Sequence, residues 1–125
     1  MKLLLDTHVL LWATTDSPRI KAIRKRLLAP DNEVFFSVAS LWEIAIKVSL
    51  GKLKADAADI REAALEGGFI ELPVLGQHAL QVGALPRHHR DPFDRLLIAQ
   101  AAAEPMRLLT ADEQLLAYGG QVEII

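Results

Sequence analysis

The 125-residue sequence contains no cysteine, which excludes a disulfide framework and any thiolate metal site. It also lacks a dominant charge. Fourteen lysines and arginines face sixteen acids, for a net charge of −2, so nothing draws the whole molecule toward nucleic acid. Such binding would need a local patch. No apolar run reaches the eighteen or so residues of a membrane span, and Asp6 and His8 break the one apolar stretch at the N-terminus that could resemble a leader. The chain is therefore expected to be soluble and cytoplasmic, with no membrane partner. Missing too are H-E-x-x-H, G-x-G-x-x-G and G-x-S-x-G. "LGKL" superficially suggests a phosphate loop, but Ile46 stands where its first glycine belongs.

What remains is apolar and punctuated. Hydrophobic residues make up 51% of the chain, enough for one domain over residues 1–125 with a sizeable core. Lys2–Leu5 is too short and too uniformly apolar for a helix and predicts a buried strand. Ser17-Pro18 opens a helix predicted to run to about Leu28, and "PDN" at 30–32 breaks it. Further strands are predicted at Glu33–Phe36, Phe69–Leu72, Arg107–Leu109 and Val122–Ile125. Helices are predicted at about Val38–Ser49, Asp56–Glu66, Gln77–Ala84 and Asp91–Ala103, with a short one from Ala111. This alternation predicts an α/β fold with a parallel sheet covered on both faces. Sites in such sheets form beyond the carboxyl ends of the strands.

Four acids stand near such ends, and each has an ordinary structural role available. Asp6 could cap the helix after the first strand. Glu43 follows Ser40 by three residues, a capping-box spacing. In "DPFD", Asp91 suits the N-cap, Pro92 the first helical position, and Asp94 the first turn near the positive end of the helix dipole. In "LLTADE", Thr110 suits a cap and Asp112 the next first turn. Jointly the four suggest more. Asp6, Asp94 and Asp112 collect at one end of one sheet, and Glu43 can lean toward it. Asp94 also heads the apolar stripe Leu97, Ile98 and Ala101, so it should point inward. Crowded carboxylates repel, and a cation would relieve them. Oxygen ligands without cysteine or a histidine pair favour Mg²⁺ or Mn²⁺. Such an ion suits hydrolysis of a phosphodiester.

"LLLDTHVLLW", "SVASLWEIAIKVSLGKL", "HHRDPFDRLLIAQA" and "LLTADEQLLAYG" resemble, in order and spacing, the PIN-domain family, specifically the VapC-like toxins of toxin–antitoxin pairs. The resemblance covers nearly the whole chain. It implies a Rossmann-like α/β/α domain with a five-stranded parallel sheet and an Mg²⁺-dependent endoribonuclease. The family's four acids fall on Asp6, Glu43, Asp94 and Asp112, and its hydroxyl beside the first acid on Thr7. Asp6, Asp94 and Asp112 would hold the metal, while Glu43 would orient the attacking water or a second ion. The implied partners are an RNA substrate, a cognate antitoxin and a second copy of the chain in a homodimer.

Thr7, Arg95 and His89 are candidate substrate contacts, with Arg87 and Arg90 beside them in "RHHR". Lys21, Arg24 and Lys25 are expected on a solvated helix face. Trp12 and Trp42 are expected in the core or in helix packing, with an antitoxin contact as a further role that the resemblance implies for Trp12. Lys47 and Lys52 are expected as surface charge, and His8 and His78 as isolated residues. Two rival functions stand beside the nuclease. One is a phosphomonoester hydrolase with an aspartyl nucleophile, which would want an aspartate where His8 stands. The other is a non-catalytic module in which the acids serve only as caps.

Overall fold

Leu3, Leu4 and Leu5 are wholly buried, as an apolar run in a doubly covered strand requires. In the computed structural model, which describes residues 1–125, they form β1 (Lys2–Leu5) at the centre of a five-stranded sheet. The other strands are β2 (Glu33–Ser37), β3 (Ile70–Leu72), β4 (Arg107–Thr110) and β5 (Val122–Ile124), in the order β3-β2-β1-β4-β5. Every pairing is parallel. Six α-helices accompany them: α1 (Thr7–Thr14), α2 (Arg24–Leu28), α3 (Val38–Ser49), α4 (Ala57–Glu66), α5 (Gly76–Val82) and α6 (Pro92–Ala103). No helix is long and apolar enough to cross a membrane.

The alternation of side chains along β1 builds two cores. Leu3 and Leu5 join Val9, Leu10, Ile44 and Leu109 on one face. Leu4 joins Phe35, Leu97, Ile98 and Leu108 on the other. Leu4→Ala removes atoms from the second core at a place with little freedom to collapse. It should lower stability by about 2–5 kcal/mol in urea denaturation.

The predicted helix from Ser17 to Leu28 is broken. A 3₁₀ turn at Pro18–Ile20, with Ser17 accepting from the Arg19 N–H at 3.2 Å, precedes the short α2. β-Branched Ile20 and Ile23 favour a continuous helix weakly, and the break still buries both Ile20 and Leu27. The last predicted helix is likewise a 3₁₀ segment, Glu113–Tyr118.

The strand order positions the site. The chain moves from β1 outward to β2 and β3, then returns to the other side of β1 for β4 and β5. Connections leaving β1 and β4 therefore diverge, and a crevice opens between their carboxyl ends. Asp6 follows one of these strands, and Asp112 closely follows the other.

Candidate metal centre

Asp6 acts both as a helix cap and as a wall of the crevice. Its N–H donates to the Leu109 carbonyl at 3.0 Å, which ties it to β4. Its Oδ1 accepts from the Val9 N–H at 2.9 Å, capping α1. Its Oδ2 accepts from the Thr110 hydroxyl at 2.5 Å. Burial pushes this carboxyl above its ordinary value, against the pull of those hydrogen bonds. Thr110 does not cap the following turn, as the sequence suggested. Its hydroxyl bridges Asp6 and the Asp112 N–H, 3.0 Å away. Asp112 is itself the cap, with Oδ1 accepting from the Gln114 N–H at 3.0 Å.

"DPFD" folds as its residues dictate. Asp91 Oδ1 accepts from the N–H groups of Phe93 and Asp94, at 2.9 and 3.0 Å, and Pro92 starts α6. That leaves Asp94 free to face the crevice. Its Oδ2 lies 2.9 Å from His89 Nε2, which is also 3.9 Å from Asp112 Oδ2. Burial, then the charge of Asp91, push the Asp94 carboxyl up to about 6, although His89 opposes the shift. His89 is held by its backbone, whose N–H donates to the Tyr118 hydroxyl at 3.1 Å.

Glu43 is buried on α3 and fully engaged. Its Oε1 accepts from the Thr7 hydroxyl at 2.6 Å, and its Oε2 meets Lys47 Nζ at 2.7 Å. Thr7 Oγ1 also lies 3.0 Å from Ser40 Oγ. The Ser40–Glu43 capping box is not formed. α3 starts a turn earlier at Ser37, whose hydroxyl accepts from the Ala39 N–H, so Ser40 lies inside the helix. Lys47 is not idle surface charge. Its pKa is raised by Glu43 above all, and by the fields of Asp91 and Asp94. Its spacing of four from Glu43 was readable as a helical ion pair; the buried partner was not.

Asp6, Asp94 and Asp112 thus line one cleft of about 320 Å³, together with His8, Trp12 and Ala111. Glu43 does not line it, and stands beside Thr7 next to Asp6. The tightest set of potential ligands is His89, Asp94 and Asp112, whose donor atoms lie within 4.8 Å of one another. Ligands on opposite sides of a small divalent ion lie about 4 Å apart, so the set has the size such an ion needs. The imidazole adds nitrogen to a set read as all oxygen.

The remaining candidates fall elsewhere. Arg95 spends its guanidinium on the carbonyls of Val82 at 2.9 Å and His89 at 3.4 Å, fastening the segment before α6. Trp42 is not core but 60% exposed, edge-on to Phe93 with centroids 5.1 Å apart. Trp12 packs against the core and carries the Arg19 guanidinium 5.0 Å above its ring. His78 is not isolated, because Nδ1 accepts from the Leu75 N–H at 2.9 Å and Nε2 lies 2.7 Å from Glu104. Lys21, Arg24 and Lys25 are exposed as expected, and Arg24 pairs with Asp16.

Fold and cleft define a parallel α/β protein with an acidic crevice where its strand order reverses. The chain belongs to the PIN domain family, whose model matches residues 3–121. No curated protein sequence matches the chain. Among solved structures it is similar to a chain of VapBC2 from Rickettsia felis, bound to a DNA fragment from their promoter. That match has 20% identity and a TM-score of 0.75, covering 100% of this chain and 98% of the other. A chain of DNA-bound VapBC from Salmonella typhimurium matches at 18% identity and a TM-score of 0.71, over 99% and 98% of the two chains. VapBC-5 from Mycobacterium tuberculosis, a member of the VapBC family of toxin-antitoxin systems, matches at 26% identity and a TM-score of 0.56. There the coverage is 99% and 97%.

Proposed function

We propose that the protein is a metal-dependent endoribonuclease acting as the toxin of a toxin–antitoxin pair in the cytoplasm. The observation that carries this is the convergence of Asp6, Asp94 and Asp112 on one cleft, with Asp94 pushed up to about 6. Membership of the PIN family and the VapBC neighbours support it. The same neighbours support a cognate antitoxin as the protein partner; the proposal adds a homodimer as the toxin's own state.

Asp94 and Asp112 would hold an Mg²⁺ or Mn²⁺ ion, with Asp6 or His89 completing its ligands. When bound, the ion polarises the scissile phosphate and makes water a better nucleophile. The rest falls to the side chains. Thr110 fixes Asp6, since its hydroxyl holds one carboxylate oxygen while Val9 holds the other. Thr7 and Lys47 fix the orientation of the Glu43 carboxylate beside Asp6, which places it to orient the attacking water from behind the cleft wall. A phosphomonoester hydrolase has less support, because His8 is exposed and no second aspartate follows Asp6.

Incubation of purified protein with single-stranded RNA tests the proposal. Cleavage should require Mg²⁺ or Mn²⁺ and leave 5′-phosphate ends. Full cleavage in excess EDTA, or 2′,3′-cyclic phosphate ends, would contradict it.

A further inference from the structure

We propose that the hollow between α5 and the start of α6 is a binding subsite for the backbone of single-stranded RNA. In it, Arg87 and Arg90 would grip phosphates adjoining the one cleaved. This rests on the nuclease function proposed above. The hollow encloses about 710 Å³ and is lined by Val82, Gly83, Arg87, His89, Arg90 and Arg95. In a chain of net charge −2, it gathers three arginines and a histidine with no carboxylate.

The three arginines divide the work. Arg95 is committed to the Val82 and His89 carbonyls, so it shapes the wall while leaving its charge in place. Arg87 and Arg90 are exposed. The arginine–carboxylate pairs of the structure engage Arg24, Arg26, Arg61 and Arg107, and neither of these two. They remain available to an external anion.

His89 joins the hollow to the acidic cleft. It lines the first, and its Nε2 lies 2.9 Å from Asp94 Oδ2 in the second. The cleft alone repels a polyanion, because Asp6, Asp91, Asp94 and Asp112 all stand in or beside it. A nucleic acid reaching it needs cations close by, and Arg87 and Arg90 supply them within a few residues of Asp94. Phosphate gripping by arginine positions a strand without reading its sequence.

Fluorescence anisotropy of a labelled twelve-nucleotide mixed-sequence RNA, in EDTA, tests binding apart from cleavage. Two double variants are compared with wild type: R87Q/R90Q, and K21Q/K25Q on the exposed face leading into α2. α2 lies toward the amino end of β1, where its Arg26 approaches Met1 Sδ at 3.7 Å, whereas the cleft lies at the carboxyl ends of the strands. Loss of two phosphate contacts should lower the salt slope by about 1.4 and weaken binding roughly tenfold at 0.15 M salt. K21Q/K25Q should bind as wild type does. Unchanged affinity and slope in R87Q/R90Q would overturn the subsite, as would an equal loss in K21Q/K25Q. Failure of the nuclease proposal reads differently. Binding would still depend on Arg87 and Arg90, but no divalent ion would support cleavage.

Discussion

Asp94→Asn should abolish RNA cleavage, with kcat falling on the order of a hundredfold or more, whereas Asp91→Asn should keep most of it. The two aspartates stand three residues apart at one helix start but face different ways. Asp91 spends an oxygen on two backbone N–H groups, and asparagine is an equally good cap. Asp94 faces His89 and the cleft. Comparable kinetics for the two variants would mean that the wrong member of "DPFD" carries the chemistry.

The raised pKa of Asp94 adds a signature that needs no substrate. In the metal-free protein its carboxyl titrates at about 6, against an ordinary 3.8. Between those values the folded state binds more protons than the unfolded one, so this group makes stability fall as pH rises. The shift corresponds to at most about 3 kcal/mol, fully expressed above pH 6 and absent below pH 4. Asp94→Asn removes this dependence. In EDTA, the melting temperature of the variant relative to wild type should therefore climb between pH 4 and pH 7. A constant difference across that range would contradict the assigned shift.

The second large effect concerns Asp6, which is both cap and cleft wall. Asparagine keeps an oxygen for the Val9 N–H, and the Thr110 hydroxyl can turn from donor to acceptor. Asp6→Asn should therefore be as stable as wild type in EDTA, or more so, since a buried charge among other carboxylates has gone. Mg²⁺ at ten times its dissociation constant should stabilise wild type by about 1.4 kcal/mol. That is a melting shift of roughly 3–6 °C for a chain of this size, and Asp6→Asn should lose most of it. Leu4→Ala should melt lower in both conditions yet keep the shift. A shift that survives intact in Asp6→Asn would remove Asp6 from the metal site.

The parallel sheet was legible because uniformly apolar runs such as "KLLL" and "EVFF" alternate with capped helical patterns. The helix predicted from Ser17 to Leu28 was not, because two β-branched isoleucines and a tertiary demand for burial outweighed its cap and stripe. The bounds of α3 were legible, but the capping-box spacing of Ser40 and Glu43 misled, because Ser37 caps the helix and Ser40 lies inside it. The acids were found because each follows a strand or opens a helix. Their supports were not. Thr110 meets Asp6 across 104 residues of sequence, and local pattern carries no trace of such a pairing. His89 lay in a polar stretch with no periodicity, so only the folded chain shows it against Asp94.

Crystals of the protein soaked in Mn²⁺ test the metal centre most directly, through an anomalous difference map. The account predicts one dominant peak in the cleft bordered by Asp6, Asp94 and Asp112, with Asp94 and Asp112 both within bonding distance. A cleft without a peak at saturating Mn²⁺, or a dominant peak away from these residues, would contradict it.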